Sequence, residues 1–456
     1  MADQSYSAAN FRRIWDLRTR RGEDLSTFYP AVQDASNQIR VLVAERREDL
    51  ATRTLGSTDY EDCAASHDVD IKTARRKRDE LLVAHLSGTS LLVNQQIDAD
   101  SLSLKTVPGP VVRGKPTYTL PPDDPITYFL SRQSERNVRL ALSVEAPSRS
   151  ITAEQLFRTI DNQVPLMVLR TDLASFYESI PHDRLRAMLR SSDSLSRTTC
   201  RVVDSMLAES ENRTGKPIGL PRGLALSAAL AEAYAKQLDL LISKSQSVYL
   251  YVRYVDDIVL VLGVADQDPK VNNRLKAVSD IVHSLGLSLN PAKTFATSRP
   301  KASEPAIGFD FLGYRLTLSH TGCTADLTRS RADRYLQRLQ LTFDQYRNEG
   351  GTSRSAVQLL QRLRFLTGNT RLANNKRQGL VGIYFSNSLL PGRTQILEEL
   401  DAALDAHVAS VAMPPAVLMA AKEMSFCDGF EKTIYHRFSS KQLRQIVRIW
   451  KFDDKA

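Results

Sequence analysis

Asp172, Asp256 and Asp257 are the residues of this 456-residue sequence whose types and spacing could do chemistry. Asp256 and Asp257 are adjacent, and neighbouring carboxylates repel unless a cation sits between or beside them. A divalent metal ion is the usual remedy. By itself such a pair reads as a solvated turn, because Asp tolerates turn geometry. Asp172 changes the balance, since it closes the apolar run Met167 to Leu169 and so ends a buried strand in a carboxylate. If two strands bring Asp172 and Asp256 together, they supply the acidic pair of a two-metal phosphoryl-transfer site, whose ions stand roughly 4 Å apart.

Two elements must position these groups. In Tyr249 to Val264, runs rich in Val, Ile, Leu and Tyr flank the acidic pair, which predicts a β-hairpin with the carboxylates at its turn. Pro165 to Ile180 predicts the strand that delivers Asp172. Adjacent residues of an extended segment point in opposite directions, so Asp256 is the expected partner of Asp172 and Asp257 a supporting, weaker ligand.

The order of motifs resembles that of reverse transcriptases. Asp172 with Phe176-Tyr177 resembles motif A, Gly219 to Asp239 motif B, and Tyr254-Val255-Asp256-Asp257 the YxDD of motif C. Leu287 to Thr294 (LSLNPAKT) looks like motif D, and Phe309 to Tyr314 (FDFLGY) like motif E, the primer grip.

The resemblance implies an α+β fold of the right-hand polymerase type, with fingers, an antiparallel-sheet palm and a helical thumb. It implies two Mg²⁺ ions, replaceable by Mn²⁺, held by Asp172, Asp256, Asp257 and the carbonyl of Leu173, during in-line attack of a primer hydroxyl on a dNTP. Tyr177 would abut the sugar and exclude a ribose 2′-hydroxyl, against the alternative of a core aromatic. Lys293 would give a proton to the departing pyrophosphate, against the alternative of an exposed loop lysine. Gly223, with Gly219 and Pro221, would let the motif B loop approach a nucleotide or template closely. Arg222 stands where many relatives have Gln, which sets base-pair monitoring by that residue in doubt. A helix from Ser227 through Leu238 would support the site. Arg132, Arg136 and Arg139 lie where fingers residues hold the triphosphate, because guanidinium groups bind phosphate through paired hydrogen bonds; a salt-bridged surface is the competing reading. His182 and Asp183, after Pro181, read as capping and surface residues.

The remainder of the chain frames these motifs. Residues 1–100 read as a helical N-terminal extension, 101–320 as fingers and palm, and 321–456 as a helical thumb and C-terminal domain. Arg75 to Arg78 form the densest basic run, as fitting for a solvated helix face as for phosphate contact. Ser101 to Pro125 is rich in Pro and Gly and reads as linker or short strands. Arg331 to Gly350 and Ser355 to Asn369 show heptad-like apolar spacing with Arg interleaved, and Ser439 to Phe452 a basic amphipathic helix. Net charge is +9 with a pI near 9.3, which suits a polyanionic partner without proving one. Cys63, Cys200, Cys323 and Cys427 are scattered, form no CxxC pair, and read as reduced thiols rather than zinc ligands. No stretch approaches a membrane span and no signal peptide opens the chain, so the expectation is a cytoplasmic protein.

Within the family, Thr117 to Pro122, Arg132 to Asn137, Phe176 to Pro181 and Arg364 to Asn387 look closest to the defence-associated and abortive-infection reverse transcriptases of bacteria, in particular one polymerase of systems that encode two. This implies dNTPs and an RNA or DNA primer-template as partners, or a non-coding RNA and a second reverse transcriptase. Template-free synthesis from a protein hydroxyl and a homo-oligomer stay open. Three alternatives are weighed beside it: an RNA-synthesising polymerase, an inactive palm acting as a nucleic-acid scaffold, and a retron or intron-type enzyme. Keeping repelling carboxylates in one pocket argues against a scaffold.

Overall fold

The computed structural model describes residues 3–112, 114–145, 148–245, 248–263, 271–372 and 379–450. Val264 of the hairpin run, Arg113 of the Pro/Gly segment, 373–378 within Arg364 to Asn387, and Lys451 and Phe452 of the basic C-terminal segment lie outside the described residues.

The first hundred residues are helical as expected: α1 (Ala8–Arg20), α2 (Pro30–Ala51) and the long α3 (Thr58–Asp98). Their starts follow capping chemistry, with Ser7 and Ser57 accepting from the backbone N–H of the first turn and Pro30 opening α2. The Pro/Gly segment forms two short paired strands, β1 (Val107–Pro108) and β2 (Tyr118–Thr119). After α4 (Pro125–Ala141) and α5 (Arg149–Ile160) come β3 (Leu166–Asp172), the single turn α6 (Phe176–Ser179), α7 (His182–Arg190), α8 (Arg197–Thr214) and α9 (Ala225–Ser243). The hairpin β4 (Val248–Tyr254) and β5 (Asp257–Gly263) precedes α10 (Val271–Ser284) and β6 (Phe295–Ser298). Next stand β7 (Ile307–Phe311), β8 (Tyr314–Leu318) and β9 (Cys323–Leu327). The C-terminal part holds α11 (Arg329–Asn348), α12 (Ser353–Thr367), β10 (Asn369–Arg371), β11 (Leu380–Gly382), α13 (Gln395–Ala409), α14 (Pro415–Lys422), α15 (Phe426–Glu431) and α16 (Ser440–Arg448).

The chain forms two compact units that interleave along the sequence. One comprises residues 1–110, 116–144 and 181–233; the other 111–115, 145–180 and 234–456, so the division falls inside α9. In the first unit Phe11 stacks on Phe129 at 5.0 Å, and the Tyr6 hydroxyl sits 2.8 Å from Ser134 and 3.2 Å from Thr199. Burial raises the pKa of Tyr6, which keeps it a neutral hydrogen-bonding group of that core.

The second unit is built on a four-stranded antiparallel sheet in the order β4-β5-β3-β6. Leu166 and Val168 of β3 join Val252, Val259 and Val261 in one core with Leu156 and Ile160 of α5. That core continues through Phe309, Phe311 and Leu316 of the β7-β8-β9 sheet into Leu339, Phe343, Leu359, Leu363, Leu400 and Leu404 of the C-terminal helices. The apolar alternation read in those helices is thus the buried face of each. Helices around an antiparallel central sheet are the α+β, right-hand polymerase class that the sequence led us to expect.

Candidate active site

Asp172 is the last residue of β3, and its register partner in β5 is Asp257. The two-residue loop Val255-Asp256 closes the hairpin, because Tyr254 pairs directly with Asp257. Backbone bonds then knit the acidic segments together. The N–H of Leu173 donates to the Asp256 carbonyl at 3.0 Å, that of Asn290 to the Asp172 carbonyl at 2.7 Å, and that of Ala174 to Ser288 at 2.8 Å. The Asn290 side chain also caps the turn Pro291–Lys293, which delivers Lys293. Its Nζ stands 3.0 Å from Asp172 Oδ2. Asp172 is buried and Lys293 more than half exposed, so the ammonium reaches in from the surface.

Charge is concentrated here. Burial pushes the Asp256 carboxyl up in pKa; the charge of Asp172 pushes it further and Asp257 adds to this, while Lys293 works the other way. Asp256 is therefore coupled to all three expected partners. Asp257 accepts from Arg170 Nη2 at 3.1 Å. Two repelling, hydrogen-bonding carboxylates are a hard-oxygen donor set of the kind that suits Mg²⁺ or Mn²⁺.

The hairpin tip is held under strain. Val255 adopts φ +60°, a left-handed conformation that a β-branched residue rarely takes. Positive φ at the first loop position follows the type II′ pattern, where Gly is the usual occupant. Such a residue costs on the order of 1–3 kcal/mol and persists only when its surroundings fix it. Arg253 does the fixing: its Nη1 donates to the Val255 carbonyl at 2.9 Å, while Nε and Nη2 grip the two oxygens of Asp239 at 2.8 and 2.9 Å. The Tyr251 hydroxyl donates to the same carboxylate at 2.7 Å. Arg253 is nearly buried, so this forked pair joins the hairpin to the end of α9.

Leu173 is buried beside Asp172. Tyr177 is half-buried on α6 and meets Phe176 edge-on at 5.9 Å; its neighbour Glu178 pairs with Lys115 at 3.3 Å. Arg132, Arg136, Arg139 and Gly223 belong to the other unit. There Arg132 and Arg139 both pair with Glu135, and Arg136 donates to the Asp3 carbonyl at 3.1 Å. Gly223 has φ +97°, and a Cβ on it would lie 2.5 Å from the Tyr118 carbonyl oxygen. The Tyr118 N–H bonds to the Arg222 carbonyl at 2.7 Å, so the motif B loop is pinned against β2. Close backbone approach does demand glycine here, and the approaching partner is the chain itself.

His182 corrects the sequence reading. It opens α7 but is fully buried, with Nδ1 2.6 Å from Glu211 and Nε2 donating to the Gly219 carbonyl at 2.6 Å. Rather than a surface residue, it braces the motif B loop from behind. The hydrogen bond from His182, with Arg186 beside it, lowers the Glu211 pKa. Asp183 is exposed in the first turn of α7, as expected. Sequence reasoning also passed over Arg170, Arg253, Asp239 and Asn290. A usable signal existed for the arginines: both interrupt apolar strands within three residues of a site aspartate.

Residues 136–316 match the reverse transcriptase (RNA-dependent DNA polymerase) family. No curated protein matches the chain. Among solved structures, apo telomerase from Candida tropicalis truncated from its C-terminal domain is 12% identical with TM-score 0.34, the match covering 52% of this chain and 60% of that one. Telomerase from Candida albicans with a TWJ fragment of telomeric RNA is 13% identical with TM-score 0.32, covering 72% and 50%. The corresponding Candida tropicalis complex is 13% identical with TM-score 0.34, covering 80% and 68%. This chain thus spans about three fifths of the first of these structures and half of the second. The segment that matches this family carries Asp172, Tyr177, Asp256, Asp257 and Lys293.

Proposed function

We propose that the chain adds deoxynucleotides to a hydroxyl primer by divalent-metal-dependent phosphoryl transfer, as an RNA-directed DNA polymerase. The observation that carries this reading is the electrostatic coupling of Asp256 to Asp172 at the hairpin tip, with Lys293 on Asp172. Asp172 and Asp256, with the Leu173 carbonyl and Asp257, are the residues that would hold Mg²⁺. Bound there, the ions supply Lewis-acid activation of the attacking hydroxyl and charge neutralisation at the leaving pyrophosphate. Asp256 and Asp172 orient the donor oxygens, and Arg170 fixes Asp257. Lys293, held by Asp172 with its ammonium partly in water, carries the proton for the leaving group. The Tyr177 ring sets the preference for deoxyribose by occupying the space of a 2′-hydroxyl.

The family resemblance alone supports triphosphate contacts for Arg136 and Arg139, and the naming of 101–320 as fingers and palm and 321–456 as thumb. The likeness of Thr117 to Pro122, Phe176 to Pro181 and Arg364 to Asn387 to defence-associated enzymes supports a role in anti-phage defence in the cytoplasm. In that setting the template is a non-coding RNA or no nucleic acid, and the partner a second reverse transcriptase. Among the described residues no helix is long and apolar enough to cross a membrane.

The test is to purify the protein with its bound nucleic acid and incubate it with Mg²⁺ and labelled dNTPs, before and after RNase treatment. Polymer that disappears after RNase supports RNA-templated synthesis. Polymer that survives assigns template-free synthesis, and the absence of polymer under both conditions contradicts the proposal.

A further inference from the structure

The four cysteines gave no zinc pattern in the sequence, yet the fold changes the surroundings of one. Cys63 and His67 stand one turn apart on α3 and so share a face. Asp49, near the end of α2, faces them across the helical hairpin. The Cys63 sulfur, a His67 ring nitrogen and an Asp49 carboxylate oxygen all lie within 4.8 Å of one another, and His67 Nε2 is 2.8 Å from Asp49 Oδ2.

A second observation concerns the hairpin itself. The buried residues of α2 are Val32, Ala35 and Ile39, and those of α3 begin at Ile71. The distal stretch, from residue 40 through the connecting turn to residue 70, therefore buries no side chain that would hold the two helices together. Leu42, Leu50 and Tyr60 in this stretch are only half-buried, and such partial burial stabilises packing less than a buried core does. Ion pairs between Arg46 and Asp68 and between Arg53 and Asp59 lie in this stretch, and exposed pairs contribute about 0–1 kcal/mol each. The Asp49, Cys63 and His67 cluster sits where a crosslink would matter most.

We propose that Asp49, Cys63 and His67 bind a borderline-soft transition-metal ion, Zn²⁺ foremost, as a structural clip between α2 and α3. A thiolate with an imidazole selects Zn²⁺ over Mg²⁺, which prefers hard oxygen donors such as the Asp172 and Asp256 pair. Thiolate and carboxylate together balance the charge of the ion, and three protein ligands leave a fourth position for water. Binding forms a metal–sulfur bond and releases the Cys63 thiol proton to solvent.

The test uses the full chain, stripped with chelator, held reduced and titrated with Co²⁺. Only a thiolate ligand gives sulfur-to-cobalt charge transfer, so the carboxylates of the candidate active site are silent in this readout. The expected result is a charge-transfer band that saturates at one Co²⁺ per chain, is bleached by Zn²⁺, and is lost in Cys63→Ser. His67→Ala should weaken Co²⁺ binding by about tenfold or more, with Asp172 and Asp256 intact. A missing band, a band retained at full strength in Cys63→Ser, or an unchanged Co²⁺ titration midpoint in His67→Ala overturns the proposal.

Discussion

At the scale of single residues, the candidate site is a set of charges that oppose one another. The aspartates were legible in the sequence because like charges at adjacent positions, and at the end of a buried strand, need an outside reason to be there. Lys293 was legible only through its motif, and its 3.0 Å contact with Asp172 supplies the physical link. His182 was not legible: a histidine after proline at a helix start reads as a cap, and its burial depends on Gly219 and Glu211, distant in sequence. Tyr177 is half-buried and meets Phe176 edge-on. Tyr177→Ala should leave dNTP incorporation largely intact while raising ribonucleotide use relative to dNTP by about tenfold or more, read from parallel kcat/KM values. An unchanged ratio would remove the sugar-sensing role.

At the scale of elements, hairpin and strand boundaries followed from β-branched runs and from the alternation of apolar residues, and the C-terminal helices from their periodicity. The connections between elements did not. Nothing local in the sequence says that Arg253 on β4 reaches Asp239 on α9, yet that pair holds Val255 in its strained conformation. Arg253→Met leaves Asp239 beside Tyr251 without its guanidinium and frees the hairpin tip. Stability should fall by about 1–3 kcal/mol, below the range for a fully buried pair because Asp239 is partly exposed. We expect kcat to fall about tenfold or more with a smaller change in KM, and the Arg253→Met/Asp239→Asn double variant to be no worse than the poorer single one. Additive losses would mean that the two residues act separately.

A second element-level prediction concerns His407 of α13, which stacks on Phe343 of α11 at 5.1 Å. Burial first, and the charge of Arg347 second, hold its pKa below the ordinary value. A depressed folded-state pKa means that the neutral ring's contribution to stability is present above pH 6.5 and lost as pH falls through the lowered value. The Tm of His407→Phe should therefore decline less steeply than that of wild type on acidification below 6.5. Parallel slopes would show that this histidine does not contribute.

At the scale of the whole molecule, the α+β class was readable from a motif order that no short segment carries by itself. The division into units was not readable, because it cuts through α9 between Ala233 and Tyr234 where the apolar pattern is continuous. The central claim is that the paired carboxylates of the second unit make this chain a metal-dependent polymerase. The most direct measurement is the initial rate of labelled dNTP incorporation in Mg²⁺ by wild type, Asp172→Asn, Asp256→Asn and Asp257→Asn, each confirmed folded by its melting curve. Losing several kcal/mol of charge stabilisation should cut the rate about a thousandfold in Asp172→Asn and Asp256→Asn, and less in Asp257→Asn, whose carboxylate is held by Arg170. Incorporation by folded Asp256→Asn at the wild-type rate would contradict the account.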